Sequence, residues 1–432
     1  MNEQIAAQCA ALWRIEAPRL IGALARKLRD LGEAEDLAQD ALEQALKVWP
    51  VQGLPDNPAA WLMAVAQRRA IDQLRARKLH ADKEEEFARE LETLGLDRVP
   101  PPQEREEIAD DQLRLIFTAC HPLLSPESRA ALALKVLAGL SNAEIARAFL
   151  TQESTIAQRI VRAKRLLAEA RVPFEQPRAE ERRERLASVL EVVYLIFNEG
   201  HAATAGSDWM RPALCEEAQR LARQLVALMP DEDEVLGLAA LIELNTARLP
   251  ARLDAEGRPV LLMNQDRRRW DRGAIRRGTE LLALIRQPGP YSLQARIAAV
   301  HARALRAEDT DWIAIASLYE GLARISPSPV VALNQAVAIG MASGPGYGPD
   351  VALTLLDALA GEKLLAAYPW LRSARGDMLE RLGRFQEAHD AFIRARDMSR
   401  NAADAQLLDE RVSSLVSALS TNIVCISAKK RS

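Results

Sequence analysis

LSNAEIARAFLTQESTIAQRIVRAKRLL (140–167) decides the fold. Ser141 followed three residues later by Glu144 is a capping box, so a helix starts there. Ile145, Ala146 and Phe149 supply its apolar side, and a short turn follows at Leu150–Glu153. A second helix then places Ile156, Ile160, Ala163 and Leu167 on one face, with Thr155, Gln158, Arg159 and Arg162 opposite. This is a helix-turn-helix whose second helix presents hydroxyl, amide and guanidinium groups. Such groups read base edges in the major groove and bind phosphates. A solvated basic face on an ordinary helical hairpin is the competing reading. The capping box, the turn and the one-sided basic face together favour DNA.

Working outward, NPAAWLMAVAQRRAIDQLRARK (57–78) opens with a capping Asn57 and Pro58 at the first helical position. Leu62, Ala66, Ala70 and Leu74 form an inward stripe, while Arg68, Arg69, Arg75, Arg77 and Lys78 outnumber Asp72. A basic helix with Trp61 near its entry suits single-stranded or melted DNA, although a tryptophan at a helix start is more often core. In GEAEDLAQDALEQALKVW (32–49), Leu37, Ala41, Ala45, Leu46 and Trp49 share an apolar face; Asp36, Gln39, Asp40 and Glu43 share an acidic and amide face. Alone, the latter is a solvated exterior.

Composition agrees with helices. Of 432 residues, 49% are hydrophobic and only 4% aromatic, with Ala, Leu, Arg and Glu dominant. β-Branched alternation is nearly absent, which argues against all-β and α/β architectures. The 57 basic and 60 acidic residues leave a net charge of −3, so no polyelectrolyte is implied. Cys9, Cys120, Cys215 and Cys425 are too dispersed for a disulfide framework or zinc site. MNEQIAAQ lacks signal-peptide order, and no run reaches membrane-span length, so a reducing cytoplasm is expected.

Residues 80–111 are strongly acidic, contain Pro100, Pro101 and Pro102, and read as a linker between helical segments 8–79 and 112–172. A second linker spans 173–185. From 186 to about 420 the chain is Ala/Leu-rich helix, with a frayed tail at 421–432. The stretches 215–230, 312–327 and 385–400 align with Ala218, Ile315 and Ala388 in register, then Ala222, Tyr319 and Phe392, then Leu225, Leu322 and Ala395. LGRFQEAHDAFIRAR (382–396) resembles a tetratricopeptide helix pair. The other copies are degenerate. The segment 254–272 breaks helical pattern around Trp270, and its Asp254–Gly257 start fails calcium-loop spacing. His201, His301 and Asp311 are too scattered to argue a metal site. No nucleophile–base pair, phosphate loop or cofactor motif is present, so no catalysis, metal or cofactor is expected.

Taken in order, the three motifs resemble an RNA polymerase sigma factor of the extracytoplasmic-function type. EDLAQDALEQALKVW resembles its core-polymerase helix, NPAAWLMAVAQRRAIDQLR the helix after the −10 loop, and residues 124–167 the −35-reading domain. Its helix-turn-helices usually carry Leu-Gly before the turn; Phe149–Leu150 stands here, so the turn must avoid a left-handed residue. YLIFNEGHAATAG (194–206), residues 249–272, AVHARA (299–304) and EDTDWIAIASLYE (308–320) resemble the helical extension of one subgroup.

The resemblance implies an all-α chain: two small helical sigma domains joined by the acidic linker, then a tetratricopeptide-like regulatory domain. It assigns Asp36, Leu37, Gln39, Asp40 and Glu43 to core RNA polymerase. The loop VQGLPDN (51–57), with Asp56 and Asn57, would capture a flipped −10 base, and Trp61, Arg68, Arg69 and Arg75 would hold that strand. Gln152, Ser154, Thr155, Gln158, Arg159, Arg162 and Arg165 would read the −35 duplex. The acidic linker would either thread the polymerase RNA path or act as a solubilising tether. The extension could bind a peptide, another protein or the sigma domains. A stand-alone DNA-binding regulator with a sensing helical array, or a pure helical scaffold, are the rival readings.

Overall fold

The computed structural model describes residues 2–78, 105–149, 151–201, 210–366, 368–399 and 402–429. The described residues are helical, apart from turns and one isolated antiparallel bridge, Leu253 to Pro259. Two compact units divide at Ile196 and Phe197.

In the first unit, α1 (Asn2–Leu28), α2 (Leu31–Gln52) and α3 (Pro58–Lys78) pack together, and α4 (Arg105–Ala119) lies on α1. Leu24, Leu37, Trp49 and Leu62 are fully buried among them. Burying side chains of this size stabilises by about 1.5–3 kcal/mol each. Asp30 caps α2, its Oδ1 accepting from the Glu33 N–H at 2.9 Å. Then come α5 (Pro126–Val136), α6 (Asn142–Ala148) and α7 (Glu153–Glu169), closed around Leu132, Leu134, Ile145 and Ile156.

Three boundaries differ from the sequence reading. The expected linker 80–111 lies outside the described residues as far as 104, but its remainder is already helix α4. Asp111 is buried there because Arg26 answers it at 3.2 Å and Arg114 at 2.9 Å. The expected second linker, 173–185, gives way to α8 (Ala179–His201). Its first part belongs to the first unit: the buried Arg129 donates to Ser188, Ser188 donates to the Cys120 carbonyl at 2.5 Å, and Arg185 to that of Phe117 at 2.9 Å. At the other end, helix continues through Lys429 rather than stopping near 420.

The second unit continues with α9 (Pro212–Leu228), α10 (Asp233–Thr246), α11 (Arg272–Leu284), α12 (Pro290–Arg303), α13 (Trp312–Ile325) and α14 (Pro329–Met341). It closes with α15 (Pro349–Ala358), α16 (Pro369–Arg381), α17 (Phe385–Met398) and α18 (Ala402–Lys429). Several open on proline, where the missing N–H costs nothing. Most of these helices pack chiefly on their sequence neighbours, as in a stacked array, whereas α12 packs most closely on α10, two helices back. The aligned positions Ala218, Ile315 and Ala388 are all buried, as are Leu225, Leu322 and Ala395. Gly383 ends α16 at φ 73°, and Gly376 leaves room for the Phe392 ring, which a Cβ would meet at 2.9 Å. The irregular segment after α10 is a series of short 3-10 turns, and its Trp270 is buried. Asp254 is spent on its own turn, accepting from the Glu256 and Arg258 N–H groups.

Candidate nucleic-acid interface

The helix-turn-helix forms as its residues dictate. Ser141 and Glu144 complete the capping box, with Glu144 Oε2 accepting from the Ser141 N–H at 2.8 Å. Phe149 ends α6 at φ −101°, so no left-handed residue is needed there; Leu150 lies outside the described residues. Ile156, Ile160, Ala163 and Leu167 are buried. Gln152, Ser154, Gln158, Arg162 and Arg165 are exposed, and Thr155 and Arg159 half-buried. Among the described residues, Arg159 and Arg162 have no ion-pair partner, whereas Arg165 pairs with Glu169 at 2.7 Å. Arg165 also lines a groove of about 550 Å³ with Val161, Lys164, Asp36 and Glu33. The N-terminal end of α7 is therefore the freer end, as a groove-reading helix requires.

On α2, Asp36 and Glu43 are exposed and Gln39 and Asp40 half-buried. Leu37 does not share that face: it is fully buried beneath it. Asp36 is also engaged. Lys164 of α7 donates to its Oδ1 at 2.8 Å and to the neighbouring, almost wholly buried Glu35. Lys135 stands 3.8 Å from Glu35 on the other side. The two lysines respond oppositely. Burial lowers both, but at Lys164 the Glu35 charge and the hydrogen bonds to Asp36 and Glu35 prevail and hold its ammonium above the usual range. At Lys135, burial wins and the ammonium is lowered.

Toward the third motif, Gly53 turns the chain at φ 84°. Asp56 and Asn57 are exposed, and Asn57 Oδ1 caps α3 by accepting from the Ala60 N–H at 3.0 Å. Trp61 is half-buried, its ring centroid 5.3 Å from that of Trp49 in a tilted contact. Arg68 and Arg69 are exposed; the Arg75 side chain lies outside the described residues.

The Glu35–Lys135–Lys164 cluster was absent from the sequence reading. One signal existed: Lys164 flanks the stripe at i+4 from Ile160 and i−3 from Leu167, where a long stem is covered and its charge needs a partner. Among the described residues, no group of three or more His, Cys, Asp or Glu is placed to hold a metal ion, and no helix is long and apolar enough to cross a membrane.

Comparison with known proteins agrees with this geometry. Residues 12–79 match Sigma-70 region 2, and residues 114–167 match Sigma-70, region 4. ECF RNA polymerase sigma factor SigK of Mycobacterium ulcerans (strain Agy99) is 32% identical over 33% of this chain and 74% of its own length. The chain belongs to the ECF RNA polymerase sigma factors. Probable ECF RNA polymerase sigma factor SigI of Mycobacterium tuberculosis (strain CDC 1551 / Oshkosh) is 27% identical over 40% of this sigma factor; the match spans 59% of that relative. The extension is matched differently. Residues 185–285 fall in a family of unknown function (DUF6596). Uncharacterized protein R00370 of Rhizobium meliloti (strain 1021) is 45% identical over 90% of this sigma factor and 91% of its own length. No solved structure matches. As a sigma factor, the chain directs transcription, and its two Sigma-70 domains imply binding to core RNA polymerase and promoter DNA.

Proposed function

We propose that this sigma factor engages core polymerase through Asp36, Gln39, Asp40 and Glu43, with Leu37 fixing that face from beneath. Asp56, Asn57, Trp61, Arg68, Arg69 and Arg75 hold the melted −10 strand. Gln152, Ser154, Thr155, Gln158, Arg159 and Arg162 read the −35 duplex, with Arg165 at the margin of that surface. The observation that carries this reading is the pair of guanidiniums on α7, half-buried Arg159 and exposed Arg162, without an ion-pair partner among the described residues, behind a complete capping box. The site of action is the cytoplasm, where polymerase is. The Lys164 contact to Asp36 must be released when polymerase takes that carboxylate.

The extension is tetratricopeptide-like in this reading. Its α16–α17 pair stacks Ala388, Phe392 and Ala395 inward after a left-handed Gly383, while the other copies keep buried apolar residues at the same positions without that size alternation. It regulates the sigma domains in cis, as its covalent attachment suggests, by docking on them or on a protein partner. Truncation tests this. The cut belongs after His201, because α8 through Ser188 completes the first unit. Changed run-off transcription or polymerase affinity is expected; unchanged output with unchanged affinity defeats the regulatory reading.

A further inference from the structure

The sequence scatters His201 and His301, but the second unit gathers them around three arginines. Arg248 Nη2 lies 3.4 Å from His201 Nε2, and Arg252 Nη1 lies 3.0 Å from His201 Nδ1. Arg267 donates from Nη1 to the carbonyls of His301 and Ala304, at 2.8 and 3.0 Å, and from Nη2 to Thr310 Oγ1 at 3.0 Å. The His301 ring stands edge-on to Trp312. Arg252, Arg267 and His301 are buried, while Arg248 and His201 are half-buried.

Two features mark this cluster as more than scaffolding. Arg267 ties down the C-terminal carbonyls of α12, which accounts for its own burial. Arg248 has no such duty. Among the described residues no carboxylate lies within ion-pair reach of Arg248, and its Nε is buried without a hydrogen-bond partner. His301, 8% exposed, likewise holds Nδ1 without a partner. Taking a guanidinium out of water is costly unless an anion answers it. The field at Arg248 is accordingly unbalanced, whereas Arg252 also feels Cys215 and Asp404. Burial, then Arg252 and Arg267, drive Arg248 down to about 9; burial, then Arg248 and Arg267, drive His301 down to about 3. His201 is pushed down by burial and then by Arg252 and Arg248.

We propose that Arg248, Arg252, His201 and His301 form a binding site for a small oxyanion, the phosphate or dicarboxylate group of a metabolite, within the extension. Planar guanidiniums match either group bidentately, the neutral His301 ring supplies one further donor through Nδ1, and His201 orients the Arg248 and Arg252 guanidiniums. Because three of the five cluster residues are buried, the ligand is small rather than a protein or nucleic-acid surface. The extension thereby senses a metabolite, whichever promoter the sigma domains select.

The test titrates the full chain with inorganic phosphate and, separately, with succinate, against chloride at equal ionic strength. Calorimetry reads binding, and 15N-labelled histidine rings report the site by NMR. Saturable binding of either anion, with His201 and His301 ring signals moving at the same half-saturation, is expected; the anion that succeeds names the headgroup. Arg248→Met should weaken binding at least about tenfold. If that variant fails to fold, Arg248→Lys, which keeps the charge but loses the fork, should still weaken it. No saturable binding above chloride, heat without ring shifts, or full affinity in a folded Arg248 variant overturns the proposal.

Discussion

Replacing Lys164 by Met strands a buried carboxylate. Glu35 is 4% exposed at its side chain and sits between the Lys164 and Lys135 ammonium groups. At about 4 Å and an effective dielectric near 20, each attraction is about 4 kcal/mol before desolvation is counted. Removing one partner of a buried pair costs roughly 3–5 kcal/mol, because the remaining charge stays buried. Lys135 remains at 3.8 Å and takes up part of the loss, so about 2–3 kcal/mol is expected. The Asp36 contact adds little, since that carboxylate is 70% exposed. Adding Glu35→Gln removes the stranded charge, so the double variant should recover about 1–3 kcal/mol relative to the sum of the singles. Hydrogen exchange of α2 and α7, read by mass spectrometry across the full chain, isolates the effect from the second unit. Loss of protection in both helices with Lys164→Met, partly restored in the double variant, is the expected pattern. Strictly additive single and double variants would refute the coupling.

Arg159→Ala should relax discrimination at one −35 position by about 1–3 kcal/mol, measured as competition between promoter variants bound by the holoenzyme. Arg68→Ala with Arg69→Ala should lower the salt slope of single-strand binding by about 1.4, at roughly 0.7 for each phosphate no longer neutralised. Acidification should loosen α10 and α12. His301 titrates near 6.5 when unfolded but is held to about 3 when folded, so its neutral form stabilises above pH 6.5 and that stability is lost as pH falls toward 3. Between pH 7 and pH 5 the loss is about 2 kcal/mol for this residue, with His201 acting in the same direction. Faster exchange in these helices at pH 5 would show it; an unchanged profile would contradict it.

The helix-turn-helix was legible because every local signal agreed: Ser141 with Glu144, the stripe from Ile156 to Leu167, and the polar face opposite. Asn57 and Pro58 likewise announced α3. Helical periodicity could not show which polar residues meet across sequence. Glu35 and Lys164 are 129 residues apart, and an acidic run on α2 reads the same whether solvent or a lysine faces it. Leu37 illustrates the converse: its neighbours face outward while it packs inward, as helical phase requires. The boundaries at Arg105 and Ala179 were hidden because acidic and basic residues there are paired, by Arg26 with Asp111 and by Arg185 with a carbonyl, rather than left in solvent. The histidine–arginine cluster was invisible for the same reason as the lysine pair, since only the fold brings residues 201, 248, 252, 267 and 301 together.

Run-off transcription with purified core polymerase on fragmented genomic DNA of the source organism, with and without this protein, tests the central claim most directly. New start sites that depend on the protein, and that Asp36→Lys or Arg159→Ala diminishes, are the predicted result. No new starts and no association with core polymerase would contradict it.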